Sequence, residues 1–208
     1  MFKIKKSNLN KLYAAIAGAN TLYIPCNVNG KTNYAVWGDS AEVDLETLKT
    51  VKSAKEVFFP QCEDIVSFKM EGKNITVCDN RKESEDFVVF GVRACDAKSF
   101  EILDKVFLSD PVDTFYKTKR EHGVVVTLAC NRPEESCFCK AFGIDAAEPI
   151  GDVVTYFVGE YLYWLPKTEK GLNLTKTLNE VLVDADKNDD KLIENEQKNI
   201  RSIIEKLP

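Results

Sequence analysis

The reactive side chains of this sequence are overwhelmingly sulfur. Its 208 residues include seven cysteines, against one histidine and two methionines. Three cysteines fall within ten residues, in Ala129-Cys130-Asn131-Arg132-Pro133-Glu134-Glu135-Ser136-Cys137-Phe138-Cys139. A fourth, Cys95, lies in Gly91-Val92-Arg93-Ala94-Cys95-Asp96. Four thiolates at one point suit either a tetrahedral Zn2+ or an iron–sulfur cluster. The C-x6-C-x-C spacing is not the paired C-x2-C of a zinc ribbon, nor the C-x2-C-x2-C-x3-C-P run of bacterial ferredoxins. A cubane tolerates irregular spacing, because each iron takes its own thiolate. A single cysteine is most simply a small buried hydrophobe, but three in a loop of Asn, Arg, Pro, Glu and Ser read as ligands. With His122 alone, a Ser-His-Asp triad or a multi-histidine metal site has no material, and a thiol nucleophile at Cys137 or Cys139 has no base. His122 is expected at a helix C-terminus, where an imidazolium is favoured. Cys26 and Cys78 read as packing residues, and Cys62 has no cysteine neighbour.

The flanking segments explain how distant cysteines could meet. Phe87-Val88-Val89-Phe90-Gly91-Val92 is an unbroken apolar run, as in a strand buried on both faces. An amphipathic stretch from Ala97 to Phe107 follows, then a second helical segment from Phe115 to Glu121. Val124-Val125-Val126-Thr127-Leu128-Ala129 is another buried strand. Strand, helices, strand makes a βαβ crossover, so the two strands are expected to be parallel. Cys95 and Cys130 then both leave the carboxyl ends of parallel strands, where open α/β sheets place their ligands.

Upstream, Ser7 reads as the N-cap of a helix that stops at Gly18. Hairpins are expected around Asn29-Gly30 and Glu71-Gly72-Lys73-Asn74. The first eighty residues read as small β-rich structure with one or two helices. Downstream, Val153–Val158 and Tyr161–Leu165 form a third hairpin, and the remaining residues are helical. The acidic 184–190 stretch lacks the glycine and ligand spacing of an EF-hand loop and is expected to be a solvated helix junction. The fold class is therefore α/β, shading into an α+β mixture. It comprises a small partly parallel sheet whose βαβ unit carries the cysteine site, flanked by β-hairpins and C-terminal helices. Residues 1–208 read as a single cluster-binding domain, with 172–208 as a possible helical appendage.

Composition narrows the function. Hydrophobic residues make up 44% and charged residues 29%, as in ordinary folded proteins. Twenty-eight basic against thirty-three acidic residues give a net charge of −5, which argues against nucleic acid as a partner. No apolar run approaches a membrane span and the N-terminus is unlike a signal peptide, so a cytoplasmic location without membrane insertion is expected. An odd cysteine count in a reducing compartment points to metal or redox chemistry over a disulfide framework. No G-x-G-x-x-G follows the Phe87–Val92 strand, which argues against flavin or nucleotide binding at the βαβ unit.

At these residues a family resemblance emerges. Phe59-Pro60-Gln61, Gly91-Val92-Arg93-Ala94-Cys95-Asp96-Ala97, Tyr116–Glu121 and Cys130 through Gly143 resemble the iron–sulfur subunit shared by anaerobic sulfite reductase and by sulfhydrogenase, where it is the beta subunit. The resemblance is good over roughly residues 50–150 and general beyond them. It departs at Ala94, where the family usually has proline. It also lacks two ferredoxin-type cysteine motifs, so a fragment, a stand-alone version or a subunit with its ferredoxin part on another chain is expected. The resemblance implies an electron-transfer subunit with one [4Fe–4S] cluster on Cys95, Cys130, Cys137 and Cys139, and no catalytic residue of its own. Asp96 is the substitute ligand, and Arg93 and Arg132 would tune the cluster by their charge unless they are surface ion pairs. The implied partners are redox subunits: a flavoprotein, a ferredoxin-like protein, or a hydrogenase or sulfite reductase-type catalytic subunit. Phe138 is the expected docking contact; Phe142 could equally fill the core beneath the loop. The alternative is a structural Zn2+ scaffold module of a multi-subunit complex.

Overall fold

A computed structural model describes residues 1–38, 40–83 and 85–207, with no statement on the side chains of residues 82 and 83. In chain order the elements begin with β1 (Phe2–Lys5), α1 (Leu9–Ala17), β2 (Thr21–Val28), β3 (Lys31–Val36), α2 (Lys55–Phe58), β4 (Val66–Glu71) and β5 (Asn74–Asp79). There follow β6 (Phe87–Val92), α3 (Ala94–Phe107), α4 (Thr114–His122), β7 (Gly123–Leu128), β8 (Val153–Val158) and β9 (Tyr161–Pro166). The chain closes with α5 (Glu169–Thr177), β10 (Val183–Asp184) and α6 (Lys187–Ile204).

Eight strands form one mixed sheet in the order β10-β1-β9-β8-β7-β6-β2-β3. Its centre is parallel: β2 pairs with β6, β6 with β7 and β7 with β8. The βαβ unit is thus present, but it sits in a larger sheet than the sequence suggests. Strands of the first eighty residues are part of it, for β2 joins the central parallel strands and β1 joins β9 at the other side. Pattern reading misses this because strand pairing between distant segments leaves no local mark. Among the described residues only β4 and β5 stand apart, as a two-stranded sheet with Val66, Phe68, Met70, Ile75 and Val77 exposed.

Alternation along the buried strands feeds two layers of helices. Val88, Phe90, Val126 and Leu128 pack with Leu12 and Ile16 of α1 and Leu174 of α5. On the opposite face, Val89 and Val125 meet Phe58, Phe100 and Tyr116 from α2, α3 and α4. On that face, too, Val154 and Tyr156 meet Ile193 and Ile200 of α6. Strands that are apolar at every position are therefore buried on both faces. The two C-terminal helices also lie on the sheet. The N-cap of α1 is Asn8, preceded by a turn of 3-10 helix, so Ser7 lies one residue too early. The acidic stretch is indeed a helix junction: Asp186 caps α6 in a capping box with Asp189, which is buried and bonded to Lys3 and Tyr163.

Candidate metal centre

Cys95 is delivered by the end of β6 and the start of α3. Gly91 adopts φ +80° at a bulge where the register with β7 shifts between Phe90 and Val92. Only glycine takes this conformation cheaply, and the bulge re-aims the chain as it leaves the sheet. Arg93, in extended conformation, then becomes the N-cap position of α3. Cys95 therefore lies in the first helical turn, where the backbone dipole favours a thiolate.

The other three cysteines sit on the connection from β7 to β8. Cys130 follows Leu128 by two residues, and its N–H donates to the Ala146 carbonyl at 3.2 Å. The Cys137 N–H donates to the Glu134 carbonyl at 2.9 Å, while the Glu134 N–H donates to Cys137 Sγ at 3.3 Å. Cys139 opens a 3-10 turn, and its carbonyl accepts from Ile144 N–H at 2.9 Å. Gly143, at φ +60°, ends that turn.

All four cysteines line one predominantly apolar cavity of about 260 Å³, together with Leu48, Pro133, Ile144 and Ile204. Among the described residues no three His, Cys, Asp or Glu side chains form a group fitted to a single metal ion. The thiols are instead distributed around the cavity wall, and every cysteine is unbridged. Burial pushes the Cys95 thiol up to about 11, with Asp96 and the neighbouring cysteines adding to the shift. Burial likewise raises Cys130 and Cys139, opposed at Cys130 by the positive charge of Arg93. Binding a metal at this place must therefore release the protons that these thiols hold.

The sequence-selected neighbours divide. Arg93 is buried and lines the cavity, where its positive charge acts on Cys130; its guanidinium donates to the Leu45 carbonyl. Arg132 lies outside the cavity as an exposed ion pair with Glu46 at 3.4 Å. Asp96 is not among the lining residues: it accepts from Ser53 Oγ at 2.6 Å, toward α2. Phe138 and Phe142 are 59% and 72% exposed at the cavity mouth, so Phe142 does not fill a core. Ile144, just past the turn at Gly143, lines the cavity as well. His122 ends α4 and places Nδ1 2.7 Å from Asp86. Cys26 is buried in β2, Cys78 half-buried in β5 and Cys62 exposed, all three away from the cavity.

Sequence reading misses the lid. Residues 44–49 form a loop whose Leu48 and Lys49 line the cavity, with Lys49 paired to Glu134 at 2.7 Å. Asp44 anchors that loop, accepting from the Thr32 and Thr47 hydroxyls and from the Glu46 and Thr47 N–H groups. Against the opposing effect of burial, these bonds hold its carboxyl at about 2, below the usual range. No motif announces this loop, nor Ile204 at the far end of α6.

Geometry thus defines a class: a layered α/β domain with a four-thiol cavity at the carboxyl ends of its parallel strands. Comparison gives that class a relative. The chain is 30% identical over 145 residues, 70% of its length, to "Sulfhydrogenase 2 subunit beta" from Pyrococcus furiosus. It belongs to the sulfhydrogenase beta-subunit family. The matched stretch spans 42% of that relative, less than half. No family model matches the chain, and no solved structure does so significantly. Among the described residues no helix is long and apolar enough to cross a membrane.

Proposed function

We propose that the chain is an electron-transfer subunit that holds one [4Fe–4S] cluster on Cys95, Cys130, Cys137 and Cys139. The observation that carries this reading is the convergence of four thiols, from two separate strand connections, on one apolar cavity. The donor set is entirely soft sulfur, which fits the group. The cavity volume of about 260 Å³ is many times the roughly 30 Å³ share of one water, which suits a polynuclear cluster better than one zinc ion. When bound, such a cluster supplies a reversible one-electron couple.

The chain's own residues set the surroundings of that couple. The buried Arg93 guanidinium acts on the Cys130 sulfur, placing positive charge where it raises a cluster's potential. Arg132, exposed to screening solvent, has a weaker hold. Asp96, bonded to Ser53 outside the cavity lining, is the substitute ligand only if its carboxylate turns toward the thiols. The relative is named as a subunit, which supports redox proteins as partners here: a flavoprotein, a ferredoxin-like chain or a catalytic subunit. Phe138 and Phe142 would form the apolar docking face at the cavity mouth. Unbridged cysteines suit a reducing compartment such as the cytoplasm.

Anaerobic reconstitution, followed by iron and sulfide analysis and EPR after reduction, tests the assignment. Four irons per chain with a reducible signal are expected. One zinc per chain without visible absorption would establish the scaffold alternative, and a folded protein that takes up neither metal would end both. Phe138→Asp should keep its iron and slow electron exchange with a redox partner; loss of iron would reveal a packing role.

A further inference from the structure

A second and larger cavity, about 420 Å³, lies on the other side of Arg93. It shares Arg93 and Leu48 with the thiol cavity, so one buried guanidinium forms part of both walls. Leu128 and Ala129, at the carboxyl end of β7, contribute to its lining, the place where parallel sheets hold ligands. Its volume falls within the roughly 300–1,000 Å³ of small-molecule sites.

The lining specifies a ligand with two parts. The floor is apolar and aromatic, with the buried Tyr13 and Leu128 and the half-buried Phe157. The rim carries Lys6 and Arg132 together with Glu46, which pairs with Arg132 at 3.4 Å and which a bound phosphate would displace, and α1 presents its N-terminal turn there through Leu9 and Asn10 without a side-chain cap. The independent observation is Tyr13. It is only 2% exposed, its side chain lines the cavity, and its hydroxyl is not shut off from solvent there. A tyrosine hydroxyl placed at a cavity wall is free to donate to a ligand in the cavity.

We propose that this cavity binds an organic phosphate of mononucleotide size, the phosphate at the Lys6–Arg132 rim and the ring over the buried floor. The Tyr13 hydroxyl donates to an acceptor on the ring. Side chains and a helix terminus do here what a glycine-rich loop does elsewhere, which is why the absence of G-x-G-x-x-G does not count against the site. The position beside the thiols, across Arg93, suits a group that exchanges electrons with whatever the thiols hold, but the site itself does not depend on the cluster.

Equilibrium dialysis and calorimetry on the full chain, with AMP, FMN and nicotinamide mononucleotide as probes, test it. At least one probe should saturate one site per chain, and its dephosphorylated nucleoside should bind about tenfold more weakly, as expected on losing charge-assisted hydrogen bonds. Lys6→Glu, at an exposed position, should weaken the best probe by roughly tenfold or more, and Tyr13→Phe by several-fold. Both variants should load iron as the parent does, which separates this site from the cluster assignment. No saturable binding by any of the three would overturn the proposal. So would a nucleoside as tight as its phosphate, inorganic phosphate as tight as the best mononucleotide, or unchanged affinity in both variants.

Discussion

The two connections that carry the thiols are built in opposite ways. The β6–α3 connection is short and runs from a fully buried strand into a 14-residue helix, with Cys95 in the first turn. The β7–β8 connection carries three cysteines across a surface loop with a single short 3-10 turn, from Lys140 to Phe142. The first limb inherits its position from the core. The second holds its shape by local turns, by Lys49–Glu134 from the lid and by Arg201–Asp145 from α6. Stability and thiol placement should therefore separate: damage to the first limb unfolds the protein, and damage to the second misplaces sulfur in a folded one.

Gly91→Val should give the largest effect. It forces a β-branched residue to φ +80° and sets its Cβ 2.8 Å from Leu45 and 3.3 Å from Pro25. A loss of roughly 2–4 kcal/mol in urea denaturation is expected, and a loss under about 1 kcal/mol would show that the first limb is not anchored in the core. Asp44→Ala comes next, at about 1 kcal/mol for a partly solvated carboxylate that loses several hydrogen bonds. Because folding lowers this carboxyl from 3.8 to about 2, its contribution is complete once the pH is well above 3.8. That contribution should fade as the pH falls from about 4 to 2, so the gap between parent and Asp44→Ala should narrow over that window. A gap that stays constant across it would place the anchor elsewhere.

Gly143→Ala sits on the second limb, at φ +60° with nothing near the added Cβ. The cost is backbone conformation alone, about 1 kcal/mol, yet iron uptake should fall by more than the stability change implies. Parallel losses in both would dissolve the contrast between the limbs. Lys49→Ala removes an exposed ion pair and should leave the denaturation midpoint unchanged. A faster loss of iron to a chelator is the expected signature, because Lys49–Glu134 is the lid's ion pair to the segment between Cys130 and Cys137 at the cavity wall.

Much of the architecture was legible from residue patterns alone. Phe87–Val92 and Val124–Ala129 announce buried parallel strands because strands covered on both faces need apolar side chains at every position. Asn29-Gly30 marks its hairpin because both residues adopt positive φ, 54° and 78°. From those two strands it also followed that Cys95 and the Cys130–Cys139 loop leave the same end of a sheet. What only the tertiary structure decided is what closes around them. Leu48 and Lys49 arrive from a loop far upstream of Cys95, and Ile204 comes from the last turn of the last helix. Arg93 and Arg132, alike in sequence, part company: one is buried between two cavities and the other is a solvated ion pair. Local periodicity records which face of an element is apolar; which distant element covers that face is decided by the packing of the whole chain.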